Sequence, residues 1–500
     1  MSDPSLDDLG RRGLIAGGLG LAALAVLPGL TACTHGSGAA AGDPSAFALS
    51  TITGGAPAAV PETVGPLALG PGLHTVPVSV TRLRLGLTDV PDLSEVVDGM
   101  RSFGVRLHAA SATVEKNWTS SPFSVAVAFG MLRAGARGVS AKEVDTVFGF
   151  PRSVDADGLP HAAFNALTDA MVTAGPVGAR AITQDKYGRT HKPVLAVSNG
   201  LFVDSQFAPS MRRHYVDLLT AQYGVEVNTL RFDDKALALM NTWASDQTRG
   251  RIKRLFDQLD PAAVVVLANA VYLMAAWASP FDSFATRARV FSTPNGGARV
   301  PMMKQTESWK YGEGDGWQRV TVPYNGQGLT MRVVAPRAVV RDVAGLTDAV
   351  RRAVEPTVTD TVATVDLQLP RWDAVTNIDL QPPMQRLGVR DVFSESMADL
   401  SGLATQSTFV GAAVHRANIT VGEDGTEAAA ITALEVFSVS ARAFVGKQVV
   451  VKADRPFAWA IVHEPTGTPC SRVMSSTRRR KAERPDRPAA QRGRYEPTVQ

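Results

Sequence analysis

A hydrolase needs a serine, cysteine or histidine set beside a base, and a metalloenzyme needs ligands at fixed spacing. This chain shows the signature of neither. It has no G-x-S-x-G turn to expose a nucleophilic serine, no S-x-x-K and no H-E-x-x-H. His463-Glu464 lacks a second histidine, and eight scattered histidines with two cysteines give no zinc spacing. A glycine-rich phosphate loop is missing too. The sequence therefore reads as a protein that is not an enzyme and carries no cofactor or metal.

What remains chemically unusual is the stretch VGEDGTEAAAITALEVFSVSARAFVGKQ, residues 421–448. Gly425 permits a bend, and a run of small residues follows it. With period two, Thr426, Ala428, Ala430, Thr432, Leu434 and Val436 share one face, and Glu427, Ala429, Ile431, Ala433, Glu435 and Phe437 share the other. That pattern suits a strand with small side chains buried on one side and the other side in water. Composition alone fits an amphipathic helix or an Ala-rich loop as well, because alanine favours helices over strands.

The segment GEDGTEAAAITA resembles the hinge of the reactive-centre loop of the serpins, a family of serine protease inhibitors. The hinge places would be Glu423, Asp424, Gly425, Thr426, Glu427, Ala428, Ala429 and Ala430. Ile431 departs from the small residue usual there, but its parity puts it on the water face. Further segments follow the family pattern in order: Asn117 to Ser124, NTWASDQTRGRI, LANAVYLMAAW, Val300-Pro301-Met302-Met303, Leu400-Ser401-Gly402 and Asp454-Arg455-Pro456-Phe457. The resemblance implies a polar shutter cluster of Ser121, Ser124, Asn199 and His415 under the main sheet, and Trp277 at the breach where the loop first enters. Met274, Ala275 and Ala276 depart from the residues usual before that tryptophan, as does Ser471 from a strand glycine.

It also implies a suicide-type mechanism, in which the loop is bait and its cleaved part inserts into the main sheet, trapping the acyl-enzyme. Counting forward from Gly425 puts the cut at Val439-Ser440, which implies elastase- or subtilisin-like targets. Counting back from the Asp-Arg-Pro-Phe strand lands near Val445, since this loop is longer than is common. Arg442-Ala443 lies between, and a cut there would imply trypsin-like targets. The alternative is a non-inhibitory binding or carrier protein of the same fold, whose loop is only a substrate.

The elements that must position this loop read as α+β: helices come first, strands crowd later, and no regular βαβ alternation or internal repeat is present. The expectation is a large, mostly antiparallel central sheet, further sheets and eight or nine helices over residues 93–475. VVVLANAVYLMAAW, a nearly continuous apolar run, predicts a strand buried on both faces.

Outside that body, Arg11-Arg12 precede a Gly, Leu and Ala stretch ending in Leu30-Thr31-Ala32-Cys33, which reads as an export signal with a lipoprotein cleavage box over 1–33. A weakly apolar membrane anchor is the other reading; glycines and Pro28 weaken it. Lipidation of Cys33 would place the protein extracellularly or at the cell surface, on a membrane through its lipid, and would leave Cys470 a buried, inert thiol. Residues 34–92 read as a low-complexity tether and lead-in, and 476–500 as a disordered basic tail. Residues 478–500 hold eight Lys or Arg against three Asp or Glu, a surplus of five that exceeds the chain's net charge of +4, so the rest of the chain is near neutral. The expected partner is a protease bound by a monomer, with no nucleic acid.

Overall fold

The computed structural model describes residues 72–475, apart from 79, 152–159, 172–182, 185–189, 192–193, 226, 248–252, 255, 260–262, 326–327, 358 and 427–445. The export signal with Cys33, the tail, Glu427 to Ala430, and Val439, Ser440, Arg442 and Ala443 lie outside these residues, as does the side chain of Asn199.

Two large sheets, a two-stranded one formed by Thr183–Gln184 and Thr190–His191, and eight α-helices make up the described body. The main sheet runs, edge to edge, His74–Thr75, Val227–Leu230, Val194–Asp204, Val265–Ala276, Gly425–Thr426, Ala412–Gly422 and Trp372–Asp379. Its pairings are antiparallel except Val194–Asp204 with Val227–Leu230 and Val265–Ala276 with Ala412–Gly422. A second sheet of nine strands includes the long Gly296–Gly314 strand, with Arg287–Thr293 hung on it and Gln448–Lys452 at the far edge.

The helix Pro122–Gly135 packs behind the main sheet. Ser121 caps it, its Oγ accepting from the Ser124 N–H at 3.2 Å, and Pro122 occupies the first turn, where a missing N–H costs nothing. Nearly all its residues are buried. The apolar run at 265–276 forms the expected strand, with Val265, Leu267, Leu273 and Ala275 in the main core and Val266 and Ala268 in a second cluster.

That second cluster gives the strand its second buried face, as its continuous apolar run led one to expect. On the side opposite the main core lies the helix Ala236–Gln247, with Ala236, Met240 and Ala244 against Phe202, Val266 and Ala268, and Val414 packed beside them. Trp243 comes so close to Gly200 that a Cβ there would meet its ring at 2.9 Å. The sheet is apolar on both sides at this height and needs a cover on each.

The lead-in is docked onto the body from residue 73. His74–Thr75 pairs with Thr229 and Asn228, Val76 is buried, and Arg82 bonds Asp169 at 2.7 Å. Asn165 Oδ1 accepts from the Leu85 N–H at 2.9 Å.

Candidate functional site: a strand slot and its gate

Between Val265–Ala276 and Ala412–Gly422 the main sheet changes character along its length. From Ala412 to Ala417 the two strands pair directly and in parallel, Ala412 opposite Val266 and Ala417 opposite Val271. Beyond that they part, and Gly425–Thr426 sits between them, antiparallel to both: Thr426 faces Val421 on one side and Ala275 on the other. The start of the hinge is thus a central strand two residues long.

Sequence dictates this locally. Gly425 has φ +146°, and a Cβ there would lie 2.2 Å from the Ala275 carbonyl oxygen, so glycine alone passes between the strands. Thr426 is fully buried. It shares a face with Ala275 and Val421, on the core side, as the period-two reading expects of its first member.

Trp277 closes the mouth of the slot. It is fully buried, its Nε1–H donates to the Gly422 carbonyl at 2.9 Å, and its backbone N–H donates to the Asp424 carbonyl at 2.9 Å. The Phe281 N–H donates to the Glu423 carbonyl at 2.9 Å, so the turn at Glu423-Asp424 is held from one side by its backbone. Tyr324 stacks on Trp277, ring centroids 4.4 Å apart and planes within 11°. Its hydroxyl lies 2.6 Å from Thr426 Oγ1, and burial pushes its pKa up, so the phenol stays neutral.

Glu423 is secured by its carboxylate. Oε1 accepts from Thr286 Oγ1 and from Arg371 Nε, each at 2.6 Å, and Arg371 Nη2 pairs with it too. Tyr324, Arg371 and Thr286 were not singled out from the sequence. They come from three separate segments, and only the fold brings them to the hinge.

Further down, His415 and Ser121 meet behind the sheet. The Ser121 N–H donates to His415 Nε2 at 3.0 Å, which puts the imidazole proton on Nδ1. His415 is fully buried, and burial lowers its pKa to about 3, so it is neutral. Ser124 is also buried. Asn199, Asn269 and His415 stand in one row across three neighbouring strands. Two neutral histidine nitrogens and capping serines can organise hydrogen bonds; His415 has no role as a proton donor near neutral pH.

At the far end of the 427–445 segment, Lys447 Nζ pairs with Glu313, whose Oε2 also accepts from Tyr311 Oη at 2.8 Å and from Arg337 at 2.9 Å. These contacts, the Lys447 hydrogen bond foremost, hold the Glu313 carboxyl below its usual range. Gln448–Lys452 then joins the second sheet as a parallel edge strand. Cys470 is buried away from all of this, its thiol pushed up to about 12 by burial.

A sheet whose central position is filled only by Gly425–Thr426, with Trp277 and Tyr324 stacked over its end, marks out a class of α+β protein with a partly opened main sheet. The comparisons give that class its family. The family described as "Serpin (serine protease inhibitor)" matches residues 98–473, and the chain belongs to it. A serine protease inhibitor of Cyanea capillata is 31% identical over 373 residues, covering 70% of this chain and 90% of that one. Iripin-2 of Ixodes ricinus is 32% identical, covering 72% and 87%. Among solved structures, the thermophilic serpin Tengpin in its native state superimposes with a TM-score of 0.66 at 18% identity, covering 81% of this chain and 99% of that one. Serpin48 of Tenebrio molitor gives 0.63 at 26%, covering 77% and 98%. The fold is the α+β serpin fold.

Proposed function

We propose that this protein is a suicide-type inhibitor of serine proteases, which traps the acyl-enzyme by drawing its own cleaved loop into the main sheet. The observation that carries the reading is the register of the hinge. Thr426 already occupies the slot between Ala275 and Val421. Continued in that register, Ala428 falls between Leu273 and Ile419, Ala430 between Val271 and Ala417, and Thr432 between Asn269 and His415. The small residues of one face thus meet the core, and a hydroxyl arrives in the shutter row.

The energetics favour this direction once the loop is cut. Insertion gives up the six directly paired positions from Ala412 to Ala417. A new central strand of about ten residues makes roughly two backbone hydrogen bonds per residue. At about 1 kcal/mol net per bond the gain is on the order of 10 to 20 kcal/mol, comparable with the whole stability of a domain. The uncut loop is tied through Lys447 and the edge strand, so it cannot run down the slot freely.

Val439-Ser440 is our choice for the bait bond, because the inserted length must match the slot whereas the distal side can vary; elastase- or subtilisin-like enzymes would then be the targets. Cutting at Arg442-Ala443 instead would indicate trypsin-like targets. We propose that the protein works outside the cytoplasm, held at the surface through lipid on Cys33. Incubation with subtilisin, pancreatic elastase and trypsin tests the reading. A denaturant-stable covalent complex is expected, together with a released C-terminal fragment whose mass gives the bond. Cleavage with no such complex for any of the three would contradict it.

A further inference from the structure

Beside the gate lies a surface that the strand-insertion account does not use. Asp282 caps a short turn, its Oδ1 accepting from the Phe284 N–H at 2.8 Å, and this holds Phe284 outward at 76% exposure. Thr286, two residues on, bonds Glu423 of the hinge. The strand Arg287–Thr293 begins next, and its first four residues, Arg287, Ala288, Arg289 and Val290, are all exposed. Ordinary alternation would bury two of them, and their partners Val300 and Met302 are indeed buried. Among the described residues the strand pairs only with Gly296–Gly314, and its outer edge is open as far as Ser292, whose N–H donates to the Asp454 carbonyl at 2.8 Å.

The charge of this edge is one-sided. Nearby Arg371 is paired with Glu423 and Lys304 with Asp366. Arg287 and Arg299 instead donate to the backbone carbonyls of Thr286 and Ala288. Among the described residues no carboxylate pairs with Arg287, Arg289 or Arg299. The rest of the chain is near neutral, the tail's surplus of five positive charges exceeding the net charge of +4. A cationic edge with Phe284 and a 57% exposed Val290 beside it has the mixed make-up of a protein contact, aromatic and arginine together, more than that of a polyanion site.

We propose that Arg287 and Arg289, with Phe284 and Val290, form an accessory docking surface that engages an acidic face of the protease acting at the loop. The location argues for this occupant. Any enzyme that takes up the chain after Thr426 sits over the end of the sheet where Glu423, Thr286 and Arg287 follow one another. Complementary charge there speeds encounter, by about tenfold or more at low salt. The inference rests on the inhibitor reading only in taking the partner to be a protease working on this loop.

The test uses the full chain and two forms of subtilisin, one unmodified and one with its lysines succinylated, which replaces surface ammonium groups by carboxylates. The readout is the rate constant of loop cleavage, which is defined whether or not the enzyme is then trapped. Covalent complex is scored separately and bears on the inhibitor reading alone. Rates are compared for the wild type, the Arg287→Glu/Arg289→Glu variant, and an Arg386→Glu/Arg390→Glu control with the same net charge at the opposite end of the sheet. Glutamate guards an exposed strand edge as well as arginine does, so the variant should fold. We expect succinylation to speed cleavage of the wild type and the control about tenfold at low salt, and to give no gain in the Arg287/Arg289 variant. A gain that survives in that variant, or one lost equally in the control, would overturn the proposal. So would loss of retention on immobilised heparin in that variant with its cleavage rates unchanged, which would assign the edge to polyanions.

Discussion

Thr426 Oγ1 and the Tyr324 hydroxyl lie 2.6 Å apart, both fully or nearly fully buried, in a slot between two strands that pair directly with each other only a few residues away. The first residue of the small-residue face is therefore already committed to the sheet. If the rest of that face follows it, as proposed, each residue must be small or bring a polar group that finds a partner.

On the proposed mechanism, Thr426→Arg should turn the protein from an inhibitor into a substrate. A guanidinium at a fully buried position facing Ala275, Val421 and a neutral phenol would be desolvated without a counter-charge. The loop should still be cut, with the stoichiometry of inhibition rising at least about tenfold, a barrier difference of about 1.4 kcal/mol. Thr426→Val, which loses only the bond to Tyr324, should cost about 1 kcal/mol of native stability and leave trapping intact. Titration of residual protease activity measures both.

Gly425→Ala should expel the hinge. The added Cβ would collide with the Ala275 carbonyl, and the backbone conformation there is one that alanine resists. Faster proteolysis at Glu427 to Ala430 in the otherwise folded protein is expected, with about 1 to 3 kcal/mol lost in denaturant titrations.

Acid should weaken the native state through His415. Its folded pKa, about 3, is below its ordinary value of 6.5, so the unfolded chain takes up a proton between those limits that the folded one does not. The stabilisation is complete above pH 6.5 and is lost as pH falls toward 3, at about 1.4 kcal/mol per pH unit. His415→Gln should remove that share of the slope of unfolding free energy against pH, whatever it does to stability at pH 8.

Asp360→Ala should be among the most damaging substitutions outside the slot. Its side chain is 1% exposed and pairs with Arg319, itself 3% exposed, at 2.7 Å. Arg319 also donates to the Arg352 carbonyl near the end of the helix Val343–Val354. Removing one partner leaves a buried cation, at a cost of about 3 to 5 kcal/mol in the denaturation midpoint converted to free energy.

The parts of this molecule that could be read in advance are those written locally. Glu423 to Thr426 carry their signal in adjacent residues, and the apolar run at 265–276 needs no partner to be recognised. The helix Val343–Val354 was not recognised, because its buried Leu346, Ala349, Val350 and Ala353 are small and interleaved with charge. Nor could the gate be assembled: Tyr324 sits in a turn sequence, and Arg371 follows a strand, and nothing in either stretch points to a hinge a hundred or fifty residues away. The second buried face was legible in the run at 265–276, but not which helix covers it, since a strand's sequence shows that a face is apolar and not what lies on it.

The central claim is that the intact protein is held short of its most stable state until the loop is cut. Thermal unfolding of the intact protein and of the same protein nicked in the loop by a protease tests it most directly. A gain of about 10 to 20 kcal/mol spread over the 345 described residues predicts a rise in Tm on the order of 15 to 30 °C on nicking. An unchanged or lower Tm, with Glu427 to Ala430 still open to digestion, would contradict it.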